Sequence, residues 1–161
     1  MRRIYPLIGL ALLALALSAG SQAAPPVTFT ETIKNETDTF TDTVPCREDL
    51  GLYEITIVQN GVFHVTAAGF EGEEPIPPYH LTGTFTGRFS AVPADGTGPT
   101  FTGRFTQWFG ENSNLNSHNG TFTFSVRGRG SDGSVIRFHI VAHFSVSASG
   151  VTVEFEKPRC R

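Results

Sequence analysis

The sequence predicts an all-β protein, an antiparallel up-and-down barrel of eight or nine strands. Three observations predict it. All 14 phenylalanines lie beyond the first two dozen residues, in a stretch also crowded with threonine, and both residue types suit a pleated, half-buried surface. Turn signals recur about every eight to fifteen residues, the rhythm of a sandwich or barrel. No segment of that stretch shows the apolar period of a helix.

Taken in order, Val27 to Ile33 and Thr37 to Val44 read as two strands, or one long bent strand, around Lys34-Asn35-Glu36. Tyr53 to Gln59 and Val62 to Phe70 flank Asn60-Gly61, a dipeptide that tolerates positive φ at both central turn positions and so predicts a hairpin. Glu71 to Tyr79 reads as a loop, because its three prolines cannot join a central strand. Leu81 to Ala91 and Thr100 to Phe109 are strands joined through Pro93 to Pro99, and Glu111 to Asn119 reads as a polar loop. Thr121 to Arg129, Val135 to Ser147 and Val151 to Lys157 complete the chain, with turns at Ser131-Asp132-Gly133 and Ala148-Ser149-Gly150.

Alternate side chains of a strand point to opposite faces. Ile136, Phe138, Ile140, Ala142, Phe144 and Val146 therefore share a dry face, with Arg137, His139, His143 and Ser145 on the wet one. The last strand is expected to put Val151, Val153 and Phe155 inward and Thr152, Glu154 and Glu156 outward. A short repeat stands out: Gly83-Thr84-Phe85-Thr86-Gly87-Arg88-Phe89 is echoed by Thr100-Phe101-Thr102-Gly103-Arg104-Phe105. A glycine between two inward phenylalanines relieves crowding where a sheet coils tightly. The repeat thus predicts two neighbouring strands curved at Gly87 and Gly103.

The first 23 residues have the pattern of a cleavable export signal. Arg2-Arg3 is a basic start, Leu7 to Leu17 an apolar run too short to span a bilayer, and Ser21-Gln22-Ala23 a cleavage site. The lipoprotein-like Leu17-Ser18-Ala19-Gly20 lacks the cysteine that would carry a lipid. One domain is expected over residues 24–161, with a secreted, extracellular address and no membrane span. Without Arg2 and Arg3, 10 basic residues face 15 acidic ones, a net charge near −5. That balance argues against a nucleic-acid partner, and Arg127-Gly128-Arg129-Gly130, the single basic cluster, reads as ordinary strand surface.

Two cysteines in an exported chain, without Cys-x-x-Cys spacing, predict one structural disulfide, Cys46–Cys160, and neither a metal site nor a redox pair. Over nine strands, a strict meander would leave these cysteines at opposite rims. A Greek-key sandwich is therefore the alternative architecture.

Chemical motifs are sparse. His139 and His143 share a strand face roughly 13 Å apart, too far for one ion. Glu71, Glu73 and Glu74 read as solvated loop carboxylates. No nucleophile elbow or phosphate loop is present, so catalytic residues are not identifiable and no cofactor or metal is expected. Asn35-Glu36-Thr37 and Asn119-Gly120-Thr121 are glycosylation sequons if the export route is eukaryotic. An eight-stranded barrel can hold one small ligand, and the candidate lining is Phe85, Phe101, Phe105, Phe122, Phe138 and Phe144, with Trp108 at the mouth.

Residues 27–160 resemble small secreted actinobacterial proteins of unknown function. The matching pieces are Asn60-Gly61-Val62-Phe63-His64-Val65-Thr66, the Thr-Gly-Arg-Phe strand, Arg104-Phe105-Thr106-Gln107-Trp108, Ser131-Asp132-Gly133-Ser134 and Arg137-Phe138-His139. This resemblance implies no activity. In architecture alone the chain is similar to lipocalin-like (calycin) and allene-oxide-cyclase-like barrels, although it lacks the lipocalin Gly-x-Trp entry motif. Three functional classes follow: a secreted, non-catalytic protein holding a small apolar molecule, which is the preferred reading; a barrel cyclase or isomerase that shapes its substrate; and a solid-cored envelope or interaction module.

Overall fold

The computed structural model describes residues 25–150 and 152–160. The expected export signal, residues 1–23, and Val151 lie outside the described residues. Seven strands form one sheet: β1 (Val27–Thr43), β2 (Leu52–Glu71), β3 (Glu74–Pro93), β4 (Phe101–Ser113), β5 (Ser117–Gly130), β6 (Val135–Ser147) and β7 (Thr152–Cys160), with a short 3-10 turn at Glu48–Leu50. Each strand pairs antiparallel with the next, in the order β1 to β7.

The strand count of eight or nine is corrected to seven, because two expected breaks are continuous strand. At Lys34-Asn35 the β1–β2 register shifts at a β-bulge. Asn35 there takes φ 52°, and its N–H donates to Asn60 Oδ1 at 3.0 Å. The bulge bends β1 without ending it and inverts which residues face inward. The expected hairpin at Asn60-Gly61 does not form. Both residues lie within β2, and the ring of Phe85, directly across in β3, lies over Gly61.

Two expected loops are also corrected. Glu71 to Tyr79 belongs mostly to a β2–β3 hairpin that extends beyond β4, whose pairing with β3 begins at Tyr79↔Ser113. Pro75, Pro77 and Pro78 sit on that overhang, beside a register shift between Ala67 and Gly69. Prolines are tolerated there because one edge of the strand has no ladder to break. Glu111–Ser113 and Ser117–Asn119 are strand as well, since the β4–β5 ladder runs out to Ser113↔His118.

Seven strands also remove the topological conflict. An odd count brings the ends of β1 and β7 to one rim, where Cys46 and Cys160 are bonded with Cα atoms 5.7 Å apart. The Greek-key alternative is not adopted, because the single sheet is sequential throughout. The bridge closes 114 residues of chain, for which the chain-entropy model allows an upper value of roughly 4.7 kcal/mol.

The sheet is rolled, but β1 and β7 remain edges: among the described residues no ladder joins them. The register gives a reason. Glu31, Glu36, Asp38 and Asp42 on β1 share the concave face with their inward β2 partners. On β7, Glu154 and Glu156 lie opposite the inward Phe144 and Ala142. The expected facing of the last strand is thereby reversed, and Phe155 lies outside, stacked on His143 at 5.5 Å. Closing the seam would gather carboxylates from both edges, and inward-pointing charge is a known guard against edge pairing.

The concave face packs tightly at the disulfide rim. Val44, Tyr53, Ala91, Phe101 and Ile136 are at most 1 % exposed, with Ile55, Phe105 and Val126 buried beside them. Phenylalanine rings cover glycines on the adjacent strand: Phe105 lies over Gly87, Phe89 over Gly103, Phe109 over Gly83 and Phe144 over Gly120. Each glycine leaves room for a ring and lets the sheet coil. This arrangement bears out the inward placement of the repeat.

Candidate functional site

The concave face is continuous from the disulfide rim to the opposite one, and its character changes along the way. Near the disulfide, Phe40 and Asp42 of β1 and Phe124 and Val126 of β5 line one mostly apolar cleft of about 200 Å³, with Ile57, Phe89 and Phe105 as its floor. Strands β1 and β5 are not neighbours in the ladder, so the rolling of the sheet itself creates the cleft. Farther along, Phe63, Leu81, Phe85, Phe109, Phe122, Ile140 and Phe144 face inward but are only half-buried.

At the far rim this apolar wall ends in a polar trio. Tyr79 on β3 donates its phenol to Glu111 Oε1 at 2.5 Å, and the same oxygen lies 2.7 Å from His118 Nε2 on β5. The ladder explains the meeting: Tyr79 and His118 both pair with Ser113 on β4, and Glu111 is two residues back on the same face. The His118 ring meets the edge of Phe144 at 5.0 Å and that of Tyr79 at 6.4 Å. Desolvation, and then the hydrogen bond to Glu111, raise the Tyr79 phenol above its ordinary value of 10.0. The phenol therefore stays a proton donor across the neutral range.

Six of the sequence-predicted candidates lie on this concave face: Phe85, Phe101, Phe105, Phe122, Phe138 and Phe144. Of these, Phe105 lines the cleft and Phe101 is wholly buried core. Trp108 is placed elsewhere. It sits on the convex face between Thr84 and Thr123, 40 % exposed. It does not rim the concave trough, because neighbours along a strand alternate and Phe105, Gln107 and Phe109 take the inner side.

The trio was not legible as a site, because Glu111 and His118 fell in a stretch that reads as a polar loop. Extending strand alternation from Phe105 through Phe109 to Glu111 is the signal that would have found it. The other four histidines face outward. His64, His139 and His143 are each bonded to a cross-strand hydroxyl (Thr30, Ser125 and Thr121), and His80 to Asn112. Among the described residues no group of three His, Cys, Asp or Glu is placed to hold a metal ion, and no helix is long and apolar enough to cross a membrane.

No protein-family model, curated protein or solved structure matches the chain.

Proposed function

We propose that the protein is an extracellular, non-catalytic carrier of an elongated amphipathic molecule, held along the concave face as a calycin-like barrel holds its ligand. The carrying observation is the gradient within one trough, from an apolar cleft between β1 and β5 to the trio Tyr79–Glu111–His118. Phe105 and Glu111 are six residues apart on β4, roughly 20 Å at strand rise. The fitting ligand is a long apolar chain or terpenoid with a small polar head. Glu111 already accepts two hydrogen bonds on one oxygen, so the second oxygen favours a hydroxyl or amine head over a carboxylate. The resemblance to small secreted actinobacterial proteins belongs to the same proposal and adds no activity to it.

A second reading, a cyclase or isomerase, is favoured by the same trio, which places a proton donor and a histidine–carboxylate pair at the end of an apolar wall. The test for both is displacement of an apolar fluorescent probe by long-chain alcohols, amines, fatty acids and terpenoids, beside native mass spectrometry of protein from its own host. Saturable displacement, strongest for alcohol or amine heads and weakened by Glu111→Gln and Phe124→Ala, is expected of the carrier. Conversion of the bound molecule would turn the carrier into the enzyme. No saturable displacement by any compound would defeat both readings.

A further inference from the structure

The convex face carries a feature that the trough does not use. Arg88, Arg104, Arg127 and Arg137 are directly opposite one another on β3, β4, β5 and β6, a straight row of four like charges. Adjacent strands are about 4.8 Å apart, and like charges directly opposite destabilise a sheet. All four are exposed, and among the described residues the ion pair found between permanently charged side chains is Arg47–Asp49, with His118 in contact with Glu111. The row has no internal counterion. Arg129 lies beside it on β5, and Arg159 opposite His139 on β7.

The surroundings reinforce the charge. On the outward positions of β4 to β7, and of β3 beyond Tyr79, there is no Asp or Glu among the described residues. A chain of net charge −3 thus confines its carboxylates to turns, the β1–β2 side and the concave face, and leaves one wall wholly basic. Three shallow depressions lie side by side along that wall, about 600 Å³ around Arg88 and Arg104, 570 Å³ among Arg104, Arg127 and Arg137, and 360 Å³ by Arg127, Arg137 and Arg159. The flanking positions are hydroxyls, Thr86, Thr106 and Ser125 on one side and Ser90 and Thr102 on the other. Trp108, four residues from Arg104 on the same face, is 40 % exposed.

We propose that this wall is a docking surface for a linear acidic polysaccharide, carboxylated or sulfated, lying across the strands. The arginine row supplies a bidentate donor for each successive acid group, the hydroxyl rows meet sugar hydroxyls, and Trp108 offers a ring for a pyranose face. A polysaccharide fits better than a nucleic acid. Proteins that hold single strands stack successive bases on several aromatic rings. Among the described residues the only Phe, Tyr or Trp rings this wall exposes are Trp108 and Phe155, the latter stacked on His143 and approached by the Lys157 ammonium, while the exposed His139 is bonded to Ser125 and His80 to Asn112. The unrelieved repulsion along the row is then the cost in stability of a surface matched to an anionic polymer.

The test is calorimetric titration of the full secreted chain with polygalacturonate and heparin as probes, dextran as the neutral control and single-stranded DNA as the competing polyanion. Binding to one or both acidic polysaccharides, falling steeply with added salt through counterion release, and none to dextran, is expected. The double variant Arg104→Gln, Arg127→Gln should weaken it at least ten-fold while its melting temperature stays equal or rises, because like charges have been removed. Trp108→Ala should weaken binding less and lower the salt slope little. Equal binding by dextran, tighter binding of DNA at matched charge, or full affinity in the double variant would each overturn the proposal. The concave face is untouched by these changes, so near-ultraviolet circular dichroism of its buried Tyr53 and Phe101 rings serves as the control for folding.

Discussion

The two rims of the concave face contain the same kinds of side chain, packed to different ends. At the disulfide rim, Val44 and the turn at Glu48–Leu50 fold back over the opening, Arg47 sits 5.9 Å above the Phe101 ring, and Phe101 and Ile136 are sealed from water. At the opposite rim Phe109, Phe122 and Phe144 are only partly buried around Tyr79, Glu111 and His118. Residue type alone therefore does not distinguish core from site. Among the described residues, what distinguishes them is the cover that the 44–51 connection, tethered by Cys46, lays over the disulfide rim.

The sharpest way to break this comparison is to truncate one ring at each end. Phe101→Ala should cost roughly 3–5 kcal/mol, the range for a large buried aromatic. Phe122→Ala, which removes a ring that is only partly buried, should cost clearly less. Urea midpoints at unchanged m-value read the difference. Equal losses would mean that the far rim is as solid as the near one, and that the trough is filled core.

A smaller effect tests the coiling that produces both rims. A Cβ on Gly103 would lie 2.5 Å from the Phe89 ring and closer still to the Arg127 carbonyl oxygen. Gly103→Val should therefore lose roughly 1–3 kcal/mol by overpacking. Thr102→Val, one residue away on the exposed convex face, should stay within about 0.5 kcal/mol. Similar melting temperatures for the two variants would show that the sheet can flatten locally and that ring-over-glycine packing does not set its curvature.

The smallest effect is a titration that compares one tyrosine from each rim. Burial raises the Tyr53 phenol and, together with Glu111, the Tyr79 phenol above 10.0. A raised folded value means that the protonated phenol stabilises the fold fully below pH 10, and that this stability is lost as pH climbs through the folded value. Tyrosinate absorbance should give midpoints above 10 for both, and Glu111→Gln should lower only that of Tyr79. Identical curves before and after that substitution would place Glu111 outside the trio.

Much of the fold was legible because strand alternation is a local signal. The inward faces of β3, β4 and β6, the curvature glycines Gly87 and Gly103, and the pairing of Cys46 with Cys160 all follow from residue type and period. Turn chemistry misled where tertiary contacts overrode it. Asn60-Gly61 has the composition of a tight hairpin, yet its glycine is occupied by the Phe85 ring and its asparagine by the β1 bulge. Pro75, Pro77 and Pro78 suggest a loop, yet they fit a strand whose outer edge has no partner.

By itself, the sequence determined that this is an antiparallel β protein with a Phe-rich inner face and one disulfide, because apolar alternation and cysteine count do not depend on which strands become neighbours. Strand number, register and closure were decided only by the tertiary structure. A single bulge at Lys34-Asn35 inverts β1, and the register of β7 turns Glu154 and Glu156 inward. A one-residue change of phase moves every side chain of a strand to the other face. The polar trio and the arginine row exist for the same reason: the row is one rung of the ladder across four strands, the trio joins two neighbouring same-face rungs across three, and rungs are a property of pairing.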